Sequence, residues 1–195
     1  MSARRTLRRV VRLVATLNLA YFGVEFAVAT AIGSVSLFAD SIDFLEDASV
    51  NLLILLALGW TAARRAQLGM VLAGVLLIPG LATLWTAGSK IASGAVPAPV
   101  PLTLAGAGAL AINLSCALML ARVRHHSGSL SRAAFLSARN DALANMAIIG
   151  AGLVTAATHS PWPDLVVGLA IAAVNADAAR EVFQTARRER DDARP

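Results

Sequence analysis

Charge is scarce in this sequence. Asp, Glu, Lys and Arg together make up 15% of its 195 residues, against about 25% in ordinary soluble proteins. That scarcity excludes a domain that solvates itself over its whole surface. Cysteine is scarcer still. Cys116 is the single thiol, so no intrachain disulfide can form, and its place inside an apolar block reads as a small core residue. Catalytic signatures are missing too. No nucleophile–base set, phosphate loop or dinucleotide fingerprint occurs, which argues against a soluble-type enzyme. No soluble repeat or ligand-binding module is visible either.

What fills the chain instead is hydrocarbon. Hydrophobic residues make up 57%. They come in blocks of about 20 residues, the length that crosses roughly 30 Å of bilayer core. A soluble domain would alternate apolar and polar residues at a period of about 2 or 3.6. The expectation is an all-α membrane protein embedded in a lipid bilayer. Six transmembrane helices are placed at 10–32, 35–60, 68–91, 100–122, 132–157 and 163–183, with ends good to about four residues. The breaks have their own chemistry. They are Gly33-Ser34, the segment 61–67 with Arg64 and Arg65, the proline-rich 94–101, the polar stretch from Arg122 to Arg132 with His125 and His126, and Pro161 and Pro163 around Trp162. Residues 1–183 then form one membrane domain. Residues 184–195 form a short charged tail, with no soluble C-terminal domain expected. The opening MSARRTLRRVVRLV resembles the charged region of a signal peptide. The apolar stretch behind it exceeds the roughly 7–15 residues of such a leader, and no convincing cleavage site follows, so it reads as a first span that is retained.

The net charge of +5 does not point to nucleic acid, because the arginines cluster between and beyond the blocks. Arg4, Arg5, Arg8, Arg9 and Arg12 open the chain, Arg64 and Arg65 follow the second span, Arg122, Arg124 and Arg132 flank the fourth loop, and Arg187, Arg188, Arg190 and Arg194 lie in the tail. The opposite side carries only Lys90, near a helix end. By the positive-inside rule both termini are expected in the cytoplasm, with the protein multi-pass in the inner (plasma) membrane. Trp60, Trp85 and Trp162 lie near span ends, where an interfacial aromatic belt puts them.

Against that background LFADSIDFLEDASVNLL, residues 37–53, is out of place. Asp40, Asp43, Glu46 and Asp47 fall within eight residues of the second span. A charge at a helix centre costs about 2.5–3.5 kcal/mol on the insertion scale. Acids in this number are expected to face the bundle interior or water and to mark an ion path. Helical geometry puts Asp43 and Asp47 about 40° apart, Asp40 and Asn51 within an arc of about 80° that includes them, and Glu46 about 60° to the other side of Asp43. Carboxylates that close repel, and one stays protonated unless a cation sits between them. Such a stripe binds metal, exchanges protons, or does both. A solvated, interfacial Asp40 is the bland alternative.

The fifth span offers a facing set in FLSARNDALANMAIIG. Ser137, Asp141 and Asn145 recur one turn apart, Asn140 lies beside them, and Arg139 points away, toward the cytoplasm or toward an acid such as Glu46. In the first span Glu25 shares a face with Asn18 and Tyr21. It lines the path, relays protons, or bonds another helix. Asn113 and Ser115 read as glue between helices, Asn175 and Asp177 as interfacial, and His125, His126 and His159 as loop residues.

GSVSLFADSIDFLED resembles the second-helix signature of the cation diffusion facilitators, roughly G-S-x-S-x-x-A-D-x-x-[HD]-x-x-x-D. LSARNDALAN resembles their fifth-helix H-x-x-x-D-x-x-x-N segment, and PDLVVGLAIA is similar to the opening of the sixth helix, with Pro163 and Asp164 in swapped order. Such proteins are proton-coupled exporters of divalent metal ions. The resemblance implies a metal site near mid-membrane built from Asp43, Asp47, Ser137 and Asp141. Asp40, Asn51, Asn140, Asn145, Glu25, Glu46 and Arg139 would then lie along the path or around the ligands. It also implies a homodimer. The chain departs from the pattern twice. Ser137 stands where the family carries His or Asp, and the cytoplasmic domain through which many members dimerise is not expected here.

Zinc favours nitrogen and sulfur ligands. An oxygen-only set suits harder ions such as Mn²⁺ or Mg²⁺, and iron, cobalt and zinc stay within range. Three carboxylates over-neutralise a dication, which suits exchange of metal for protons. The expected function is export of a divalent cation (Mn, Fe, Co or Zn) by proton antiport, the metal being cargo and no cofactor being required. Two other readings stay open. One is a degenerate member that binds metal without transporting it, as sensor or subunit. The other is a proton-coupled carrier of a different small solute.

Overall fold

A computed structural model of the chain describes residues 2–57, 81–123 and 128–192. Side chains are described within these ranges except at 2–4, 54, 56–57, 123, 128–137, 178–179 and 181–192. The described chain is all helical apart from short connections. In order the helices are α1 (Ser2–Ile32), α2 (Val35–Ala57), α3 (81–93), α4 (Pro99–Val123), α5 (Gly128–Thr158) and α6 (Trp162–Asp192). The described parts of the expected spans fall on these helices, the third only over 81–91 on α3. The first part of the third span, with Trp60, Arg64, Arg65, Arg124, His125, His126 and Arg194, lies outside the described residues. α6 runs on to Asp192, so the segment expected as a tail from 184 continues the last helix.

The connections at one end of the bundle share one device. Gly33 closes α1 in the left-handed conformation (φ 62°), and the Ser34 amide reaches back to Ala29 O at 3.0 Å. That is the Schellman pattern for unpaired terminal carbonyls. Gly94 (φ 64°) ends α3 with its amide on Lys90 O, and His159 (φ 51°) ends α5 with its amide on Thr155 O. His159 is thus a connection residue, as its place after the fifth span suggests. The following helices start with prolines where a helix tolerates them. Pro99 is the first residue of α4, and Pro163 lies in the first turn of α6.

α1 buries one stripe. Val11, Val14, Asn18, Glu25 and Ala29 are buried, at the three-, four- and seven-residue steps of a single helix face. α2 is the central element. It packs on α1, α6 and α5, while α4 packs along α5 and α1. Its first turns are buried nearly all round, from Ser34 through Ile42. The outer surfaces are apolar: Leu118 is 65% exposed and Val174 is 68% exposed. Among the described residues, three helices are long and apolar enough to cross a membrane, over Arg5–Ile32, Pro99–Arg122 and Ala138–Thr158. α2 is set apart from them by its four acids.

One cluster pins α2, α3 and α6 together at the Gly33 end. Asp164, in the first turn of α6, is fully buried. Its carboxylate accepts hydrogen bonds from Ser34 Oγ (2.7 Å), Val35 N (2.9 Å), Ser36 N (3.1 Å), Ser36 Oγ (2.6 Å) and Lys90 Nζ (2.7 Å). Lys90 Nζ also donates to Gly33 O at 2.6 Å. The carboxylate thus caps the start of α2 from another helix, where the unpaired amides and the helix dipole favour a negative charge. Gly168, one turn along α6, lets the helices come this close. A Cβ there would stand 2.7 Å from Ser36 N and 2.7 Å from the Val35 carbonyl carbon.

Asp164→Ala is expected to lower stability by on the order of 3–5 kcal/mol, because it leaves the buried Lys90 ammonium without its counter-charge. Lys90→Met is expected to cost a comparable amount. Gly168→Ala is expected to destabilise as well, since backbone rather than a flexible side chain is in the way. Denaturant unfolding in mixed micelles, followed by helical circular dichroism, measures all three.

Candidate functional site

The acids of α2 differ in burial. Asp40 is 0% exposed and Asp47 is 7% exposed, while Asp43 and Glu46 are half-buried, as is Asp141 on α5. Packing of α2 against α5 brings the two acid-bearing faces together. Asp43 lies within electrostatic reach of Asp141, Asp40, Glu46 and Asp47. Asp141 is in turn within reach of Asp47, Asp40 and Glu46. Asp43, Asp47 and Asp141 are therefore neighbours inside the bundle. Among the described residues, however, no three His, Cys, Asp or Glu side chains gather as a group able to hold a metal ion. The side chain of Ser137 lies outside the described ones.

Neutral amides line these acids. Asn18 on α1 donates to Asp47 Oδ2 at 3.3 Å, and its own oxygen accepts from Cys116 Sγ on α4 at 3.6 Å. Asn145 on α5 donates to Asp40 Oδ2 at 2.5 Å and accepts from Asn113 on α4 at 2.9 Å. Asn51, at 1% exposure, donates to the Asp47 carbonyl of its own helix at 2.8 Å, and its Oδ1 has no hydrogen-bond partner. Tyr21 donates to Ala105 O at 2.6 Å. Glu25 is fully buried between α1 and its neighbours, and among the described residues neither of its oxygens receives a donor.

Asp40 is buried, which goes against the bland alternative of a solvated Asp40. Other residues of the sequence reading sit elsewhere. Asn140 is exposed, with Arg139 Nη2 on its oxygen at 3.4 Å. Arg139 is also exposed and makes no salt bridge to Glu46, the pair Lys90–Asp164 being the one salt bridge among the described residues. Asn113 does join helices, but Ser115 does not. Ser115 is exposed and bonds Ala111 O of its own turn at 2.7 Å, an outlet that needs no second helix. Asn175 is half-buried and Asp177 exposed.

Three contacts went unread in the sequence. The link from Asn18 to Asp47 was hidden because nothing in a one-helix periodicity says which helix an amide faces. Cys116 looked like plain core for the same reason. Lys90 and Asp164 left a usable signal: each is an isolated charge near a helix end on the side with few basic residues, and two such charges tend to find one another.

A family model described as the cation efflux transmembrane domain matches residues 11–189. No curated protein matches the chain.

Asn145→Ala is expected to lower stability by about 1–3 kcal/mol, because it removes the donor from Asp40 and the acceptor from Asn113 in one step. Ser115→Ala is expected to stay within about 0.5 kcal/mol of the parent. The same unfolding measurement checks both, and equal effects at the two positions would contradict the assignment of Asn145 as a link between α2, α4 and α5.

Proposed function

The chain belongs to the cation efflux family, and from that premise we propose that it exports a divalent metal ion from the cytoplasm in exchange for protons. Membership and the apolar helices make it a multi-pass membrane protein of a transporter family. The finer reading rests on one observation, the carboxylate-lined face of α2 set against Asp141 of α5 within an apolar bundle. Asp43, Asp47 and Asp141 are the proposed ligands, with Ser137 as a neutral fourth. Asp40, Asn51 and Asn145 stand next to them, and Glu25 and Glu46 border the path.

In this reading all six helices span the inner membrane with both termini in the cytoplasm. The Lys90–Asp164 cluster then lies at the outer end. Metal enters from the cytoplasm and displaces protons from Asp43, Asp47 and Asp141. The helices rock, and protons from the outside replace the metal. The oxygen-rich donors favour manganese or iron over zinc, whose preferred ligands are nitrogen and sulfur. A homodimer, if formed, is held by the membrane helices.

A second reading has its own support. The carboxylates are neighbours without forming a closed ligand group among the described residues, which suits a member that binds metal and does not move it. Metal flux into proteoliposomes under an imposed pH gradient separates the two. The parent is expected to carry flux, and Asp47→Ala and Asp141→Ala are each expected to reduce it at least about tenfold, equal to about 1.4 kcal/mol. Ser137→His is expected to shift preference toward zinc. Binding without flux in the parent favours the non-transporting member. No binding of any divalent metal favours a proton-coupled carrier of another solute. Unchanged flux in both alanine variants removes the proposed roles.

A further inference from the structure

Glu25 and Asp40 face one another across the contact of α1 and α2, and both are 0% exposed. Asp40 Oδ2 takes the Asn145 amide at 2.5 Å. Among the described residues, no donor group gives a hydrogen bond to its Oδ1 or to either oxygen of Glu25. The two carboxyl groups are within hydrogen-bond reach of each other. Such a bond exists only when one of them carries a proton. With both ionised, two like charges sit side by side in a low-dielectric interior with oxygens unsatisfied, an arrangement that is strongly unfavourable. One proton between them pairs one Glu25 oxygen with Asp40 Oδ1 and leaves a single negative charge on the pair.

We propose that Glu25 and Asp40 form a proton-binding pair of their own, holding one shared proton, apart from the carboxylates that take the metal ion. Along α2, Asp40 precedes Asp43 by roughly 4.5 Å and Asp47 by roughly 10 Å of helical rise. The titratable groups around the pair are Tyr21 from α1, Asp43 and Asp47 from α2, and Asp141 from α5. α5 also contributes the neutral Asn145, through which Asn113 of α4 reaches the pair. No described Lys, Arg or His makes a salt bridge with Glu25 or Asp40.

Asn145 connects this proton to the cargo path. It lies one turn after Asp141 on α5 and holds Asp40 on α2. Loss of the proton changes the charge on the carboxylate that Asn145 grips, and so the hold between α2 and α5. The proton is taken from water and returned to water, with no other bond made or broken. The pair adds one proton to each exchange cycle. This last step rests on the reading of the chain as a proton-coupled exporter; the existence of the pair does not.

Infrared spectroscopy of the metal-free protein in detergent reads a protonated carboxyl directly through its C=O stretch. The parent is expected to show such a band near neutral pH. Since the exchange reading puts protons on Asp43, Asp47 and Asp141 in the metal-free state as well, the readout is the parent-minus-variant difference: Glu25→Gln is expected to remove one carboxyl's share of the band and Asp40→Asn to shift that share, with helical content and unfolding midpoint confirming that each variant folds. If one variant does not fold, the other carries the test. A band unchanged in the folded variants overturns the proposal. A parent band that sodium or potassium removes also overturns it, since the pair then holds a metal cation. In proteoliposomes the number of protons exchanged per metal ion is expected to fall by one in Glu25→Gln, and an unchanged ratio overturns the role in coupling. A parent that moves no metal yet shows the band defeats the export reading and leaves the pair standing.

Discussion

A carboxylate surrounded by hydrocarbon must find donors or give up its charge, and the bundle is arranged around that demand. Asp164 meets it fully. Two backbone amides, two hydroxyls and the Lys90 ammonium converge on its two oxygens. The result is neutral overall and ties three helices at one end. The acids farther along α2 meet the demand differently. Asn145 reaches Asp40 and Asn18 reaches Asp47, and an amide lends a hydrogen bond without cancelling charge. A structural carboxylate is therefore recognisable here by its ammonium partner. The acids bonded by amides keep the capacity to attract a mobile cation.

The backbone makes this tolerable. A helix satisfies its own amides and carbonyls, so only the side chains of α2 have to be provided for. Neighbouring helices do so by coming close, and small residues permit the approach. A Cβ on Gly168 would collide with the backbone at Val35 and Ser36, one on Gly108 with the Tyr21 hydroxyl, and one on Gly152 with Thr103. In a membrane such close packing and a few interhelical hydrogen bonds replace the hydrophobic drive that holds soluble bundles. At Gly108, α4 leaves room for Tyr21 of α1, whose hydroxyl bonds Ala105 O of α4.

Much of this was legible in the residues. Block length located the helices, and Gly33 and Gly94 marked ends that turned out to use left-handed caps. The 3.6-residue period grouped Asp40, Asp43, Asp47 and Asn51, and separately Asp141 with Asn145. Periodicity says which residues of one helix share a face. It does not say which face meets which. That is why Asn18 and Glu25 were seen as a pair on α1 without their partners on α2, and why Ser115 was credited with a contact that its own helix supplies. Arg139 is turned away from the acid face, as its helix position indicates, and it meets Asn140 rather than Glu46.

The number of acids carries a consequence of its own. Glu25, Asp40, Asp43, Glu46, Asp47 and Asp141 form a chain of electrostatic neighbours, Glu25 reaching Asp40 and Asp43 and the rest linked through Asp43, Asp47 and Asp141. One dication offsets two of their charges. The remainder cannot all stay ionised at such spacing in a weakly polarisable interior. Any metal-bound state must then hold protons as well as metal, and any metal-free state must hold more. The crowding of acids thus supports the proposed exchange of metal for protons more than a site for binding alone. A tight, purely structural metal site needs only as much negative charge as its ion balances. The excess of acids here is what the proposed path for passing charge needs.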